Sequence, residues 1–181
     1  MNFRIPDIML QKPVILLILM GIAIGLFTGI LDSAFHFINY ERFRAVNIIV
    51  FLIFFIGVYS SVIFYRNNIN NGIITYGNAF RKSLMIGIIA ALIISLIRFV
   101  FLEYVINLDI NSILDNTRVS INEQNVNLTE EQIYNRLSFI EFSYNPIVSS
   151  ILYFGYYFMF VVVFTFFASF VIKKVDRNIS L

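Results

Sequence analysis

Arg98 and Glu103 are the charges that fall inside an otherwise apolar stretch, Leu84–Ile106 (LMIGIIAALIISLIRFVFLEYVI). A guanidinium and a carboxylate in such surroundings can pair, hold a charged substrate or relay a proton. Burying either alone in hydrocarbon costs several kcal/mol, so an intramembrane ion is a functional candidate by default. Asp32 closes an earlier apolar run that begins at Pro13. As a helix it lies about 28 Å from Pro13, close to the depth at which Glu103 lies from Leu84. Arg98 is about 21 Å along its own helix and about 12 Å short of the end, too deep for an easy snorkel but within reach of Asp32 or Glu103. Arg98, Glu103 and Asp32 therefore make a candidate intramembrane charge cluster. The plain reading is an ion pair that locks two helices; the sharper one is a substrate or proton site.

Other chemistry is thin. His36 is the single histidine and there is no cysteine, a poor basis for a transition-metal site. Asp32, His36 and Glu103 could converge near one surface, but their spacing is not diagnostic of a catalytic group. The glycines sit inside an apolar span instead of in a phosphate-cradling loop. The expectation is no catalytic constellation, no cofactor, no metal and no nucleic-acid partner.

The elements that would carry these residues are membrane helices. The chain has 181 residues, 59% of them hydrophobic and only 13% charged. A soluble domain is about 25% charged, so charge is depleted by half. Four apolar runs, at about 13–31, 46–65, 84–106 and 147–172, are each long enough to cross a bilayer, and a bilayer requires the backbone to bond within itself. The fold class expected is all-α: one four-span membrane domain over residues 1–181. The polar start Met1–Lys12 is read as leading into a retained first span, since no A-x-A site follows the apolar run. Tyr40, Tyr65, Tyr104, Tyr144 and Tyr153 lie near span ends and suit interfacial belts.

Small residues suggest how the spans meet. Gly21, Gly25 and Gly29 form a four-residue ladder on the first span, continued by Ser33. Gly87, Ala91 and Ser95 form a shallow groove on the third span, the helix around which the others are expected to pack. Such stripes let backbones approach closely, so the ladder is expected to meet the groove or, alternatively, a second copy of the chain. The second span has no polar side chain beyond Tyr59, Ser60 and Ser61 and reads as lipid-facing scaffold.

Charge bias orients the whole. Arg4, Lys12, Arg66, Arg81, Lys82, Lys173, Lys174 and Arg177 fall on one side, against Arg42, Arg44, Arg118 and Arg136 on the other. The positive-inside rule puts both termini and the Arg66–Lys82 connection in the cytoplasm. The loop 107–145 is then external, and it is acidic. Its first half is rich in Asn, Asp and Ser, which favour turns. Thr129 and Gln132 have capping-box spacing, predicting an amphipathic helix over Glu130–Phe142 with Ile133, Leu137 and Ile140 on one face, ended at Asn145-Pro146. That helix would lie on the outer leaflet, cap the bundle or dock a partner.

The connection GIITYGNAFRKS, with Gly72, Thr75-Tyr76-Gly77 and Phe80, runs into an apolar span and then an acidic loop beginning Tyr104-Val-Ile-Asn107. In this it resembles the bacterial four-helix membrane family catalogued as domain of unknown function 4199. The four-span layout fits over nearly the whole chain. The resemblance implies a bacterial inner-membrane protein and carries no catalytic residue. It also hints at a role beside cell-envelope enzymes such as glycosyltransferases. A small accessory or assembly subunit of a larger envelope complex explains most features, with the lipid bilayer and either another membrane protein or a second copy as partners. The alternative is a small transporter or channel using a polar site around Arg98.

Overall fold

The computed structural model describes residues 13–39, 44–105, 110–123 and 128–174. The His36 side chain and Tyr40 lie outside what is described. The described elements are α1 (Pro13–Asn39), α2 (Arg44–Asn68), α3 (Tyr76–Val100, continued by a π turn over Phe101–Val105), α4 (Ile110–Glu123), α5 (Glu130–Tyr144) and α6 (Pro146–Ile172). All regular structure among them is helical, apart from one isolated antiparallel bridge between Ile74 and Lys174. Among the described residues, four helices are long and apolar enough to cross a membrane: Pro13–Phe35, Ile48–Asn68, Tyr76–Val105 and Pro146–Ile172. This is a multi-pass membrane protein.

The third span begins at Tyr76, well before Leu84, because Thr75 caps it. Its hydroxyl accepts from the Asn78 N–H at 3.4 Å, satisfying one of the free donors of the first turn. The helix then carries Arg81 and Lys82 in its opening turns. Its far end loosens into the π turn, where the chain makes wider turns before the span ends.

α3 is the hub, packed most extensively against α1 and α6. The glycine ladder of α1 lies on α3, though not on the stripe the sequence suggests. A Cβ at Gly21 would meet Ile89 at 2.8 Å, one at Gly25 would meet Ile93 at 2.7 Å, and one at Gly29 would meet Ile97 at 2.7 Å. The ladder is thus a slot for the isoleucine ridge Ile89–Ile93–Ile97, backed by the main chain at Ile86, Ala90 and Ile94. The Gly87 groove turns instead toward α6, where Val161 fills it at 2.6 Å from a would-be Cβ. Ser95 points the same way and donates to the Ser150 carbonyl at 2.8 Å. Without a hydrophobic drive between helices in lipid, close packing and such hydrogen bonds are what hold them together.

α2 is more than scaffold. Val50, Phe54, Val58, Val62 and Tyr65 form a buried stripe, while Ile48, Leu52 and Ile56 face outward. Phe51 stacks on Tyr157 of α6 at 4.8 Å, and Phe55 on Phe164 at 4.3 Å. These ring pairs tie α2 to the last span and close the bundle.

The described residues of the connection between α3 and α6 form two helices. α5 follows its sequence signal closely: Thr129 and Gln132 form the reciprocal capping box, and the helix ends at Tyr144. Asn145 then caps α6, accepting from the N–H groups of Ile147 and Val148, with Pro146 in the first turn. The stretch expected to be turn-rich forms α4. Ile110, Leu114 and Ile121 recur at helical spacing there, and Ile121 is buried.

Candidate functional site

Three helices bring polar side chains into one layer of the bundle. α1 supplies Thr28 and, one turn on, Asp32; α3 supplies Arg98; α6 supplies Tyr153 and, one turn on, Tyr157. Because each pair is four residues apart, each falls on one face of its helix. Asp32 is 4% exposed, Arg98 9%, and Thr28 0%. The Arg98 guanidinium carbon lies 4.8 Å from the centre of the Tyr153 ring, a cation over a π face. The Tyr153 hydroxyl hydrogen-bonds the Asp32 carboxylate, which lies within the field of Arg98. Tyr157 sits beneath, within the field of Asp32 and 2% exposed. Toward the α6 start, Ser150 donates to the Pro146 carbonyl at 2.6 Å and its own carbonyl accepts from Ser95.

The layer is incompletely satisfied. Arg98 Nε and Nη1 and Thr28 Oγ1 are buried without a hydrogen-bond partner among the described residues. A half-filled set of donors at such depth marks either a place that takes up water or a ligand, or a cost carried for specificity. The chemistry available is charge pairing and hydrogen bonding between helices.

Of the expected charge cluster, Asp32 and Arg98 come together and Glu103 does not. Glu103 is exposed on the π turn and makes no hydrogen bond or ion pair among the described residues. Five residues after Arg98, it would stand about 140° round an ideal helix, so it cannot share that face. Tyr153 replaces it as the third member. Placed by sequence in an interfacial belt, Tyr153 is instead half-buried against Arg98. Tyr65, another belt candidate, is 5% exposed inside the bundle. Tyr104 is exposed.

The residues of the connection motif gather at the opposite end. Gly72 takes a φ of +80° and closes the turn after α2, with Asn71 at +50°. Ile74 and Lys174 exchange backbone hydrogen bonds at 2.9 Å, and Arg66 Nη1 donates to the Ile172 carbonyl at 2.9 Å. The turn is thereby latched to the end of α6. Tyr76 lies against Phe170 at 4.5 Å and donates to the Phe166 carbonyl at 3.4 Å, with Phe80 stacked behind it at 6.4 Å. Gly77 is exposed, and a Cβ there would meet nothing within 4 Å. Ile74, Arg66 and Lys174 carry the latch, and no short motif marks them.

A family model described as a protein of unknown function (DUF4199) matches residues 14–174. No curated protein and no solved structure matches the chain.

Proposed function

The chain belongs to the DUF4199 family of proteins of unknown function, and from that premise we propose a role read from its geometry: an accessory or assembly subunit of a larger membrane complex of the bacterial cell envelope. It would sit in the inner membrane with both termini and the Arg66–Lys82 end in the cytoplasm, as the charge bias favours. α4 and α5 would then be external.

The observation that carries this reading is the state of α5. It has no buried residue, and Tyr134, Phe142 and Phe139 are 70%, 56% and 67% exposed. At about 100° per residue they sweep an arc of about 140°, distinct from the half-buried face of Ile133, Leu137 and Ile140. Large aromatic side chains held out on a capped helix beyond the spans are the kind of anchors that fill pockets on a partner. A larger envelope enzyme, such as a glycosyltransferase, would supply those pockets. The test is a photoreactive side chain at Phe139 in cells. A single adduct of defined mass supports docking through this arc. Crosslinks to lipid alone overturn it and leave α5 as an interfacial helix.

The unpartnered Arg98 and Thr28 atoms favour a second reading, a small transporter or channel. Transporters place their sites at broken helices near the midplane. Here α1, α2 and α6 run unbroken, and α3 loosens only beyond Arg98. The chain has no cysteine, so Thr28→Cys supplies a single reporter. Reaction with a membrane-impermeant thiol reagent, together with solute flux abolished by Arg98→Gln, would favour transport; a silent cysteine and no flux count against it.

A further inference from the structure

We propose that the Arg66–Lys82 end of the bundle is a binding surface for anionic phospholipid headgroups of the leaflet it faces. Three elements contribute cations: Arg66 from the end of α2, Arg81 and Lys82 from the start of α3, and Lys173 and Lys174 from the end of α6. The latch holds them together. Arg66 reaches the Ile172 carbonyl at 2.9 Å, next to Lys173, and Lys174 is bridged to Ile74. Lys82 lies 5.3 Å from the Tyr65 ring centre, beside Arg66, and Lys173 5.5 Å from that of Phe170.

These partners are carbonyls and rings, which orient the cations without neutralising them. Every carboxylate of the described residues lies at the opposite end, from Asp32 and Glu103 to the acids of α4 and α5. A sheltered arginine and lysine beside exposed lysines thus form a positive patch with no carboxylate beside it among the described residues.

The surroundings decide between a lipid and a soluble anion. Phe170 and Val171 are 49% and 70% exposed directly beside Lys173, and Ile73 is 37% exposed beside the bridge. A phosphate held by these cations has apolar side chains at its flank, where acyl chains would run. A free phosphate or acidic peptide would gain nothing from that flank. Each Lys or Arg near an anionic surface contributes a factor of about five in binding, so a patch of this size is selective.

The test is native mass spectrometry of the full chain released from nanodiscs made with equal amounts of phosphatidylglycerol and phosphatidylcholine of identical acyl chains. Retained lipid should be strongly enriched in phosphatidylglycerol. Lys82→Gln, Lys173→Gln and Lys174→Gln should each lower that enrichment by about fivefold. Lys174→Gln leaves the backbone bonds to Ile74 in place, and Arg66→Lys keeps the charge, so both separate loss of charge from loss of fold. Arg118→Gln and Arg136→Gln, at the other end, should change nothing. Equal retention of both lipids overturns the proposal, as does an equal loss from the distant variants. Displacement by free glycerol phosphate would show a headgroup-only anion site and would overturn the lipid assignment.

Discussion

Arg98 of α3 and Tyr153 of α6 meet as cation and ring, 4.8 Å from guanidinium carbon to ring centre, and Tyr153 passes the contact on to Asp32 of α1 through a hydrogen bond. One chain of contacts therefore crosses the three helices that pack most closely. It fixes their mutual rotation, which apolar packing alone leaves more permissive.

Removing Arg98 strands a buried carboxylate. Arg98→Leu is expected to destabilise the protein by about 3–5 kcal/mol, as is typical when one partner of a buried pair is lost. The Arg98→Leu, Asp32→Leu double variant should be more stable than Arg98→Leu alone, because no uncompensated charge remains. Unfolding midpoints in one detergent, taken around the double-mutant cycle, check this. Strictly additive losses would show that the residues do not interact.

Glycines separate by what they touch. Gly25→Ala puts a Cβ 2.7 Å from Ile93 Cβ and 2.8 Å from the Ala90 carbonyl oxygen, so α1 and α3 must part. The cost of such overpacking is about 1–3 kcal/mol. Gly77→Ala meets nothing within 4 Å and should leave stability unchanged or raise it by up to about 1 kcal/mol through helix propensity. Thermal melts of the two variants in parallel give the contrast.

How the sequence relates to this structure is clearest on α3. The four spans are legible because a bilayer demands long apolar helices, and the capping box at Thr129 is legible because its spacing is local. The pairing of faces is not local. α3 carries a small-residue groove on one face and an isoleucine ridge on another, and nothing in the chain says which of α1 and α6 meets which. Tyr153 is equally hidden, since α6 is aromatic throughout and one tyrosine is not distinguished from the next until the helices are assembled. The exclusion of Glu103 is different: its angle from Arg98 follows from helical geometry alone. α4 is masked by its Asn, Asp and Ser content, which outweighs the weaker periodicity of Ile110, Leu114 and Ile121.

The turn at Gly72 supports the latch. With φ at +80°, Gly72→Ala adds left-handed strain of about 1–2 kcal/mol to a segment that otherwise has room for the methyl. Ile74 and Lys174 donate to one another's carbonyls, so their amide protons should lose protection together. Hydrogen exchange resolved at those residues checks this; unequal changes would mean that the bridge does not act as a unit.

Thr129→Ala removes the hydroxyl that accepts from the Gln132 N–H at 3.3 Å. The expected cost is about 1 kcal/mol, confined to the first turns of α5. Limited proteolysis in nanodiscs should show faster cleavage around Glu130 and Glu131, with the melt of the spans unaltered. If the aromatic arc needs a rigid helix, the adduct at Phe139 should weaken in the same variant.

The most direct measurement is the mass and composition of the particle carrying the tagged chain, taken from its native membrane into nanodiscs without detergent exchange. A larger membrane protein is expected at fixed stoichiometry, lost when Tyr134, Phe139 and Phe142 are all replaced by serine while the chain itself stays folded. A chain that comes out alone or only with copies of itself, or a partner that the triple variant retains, would contradict it.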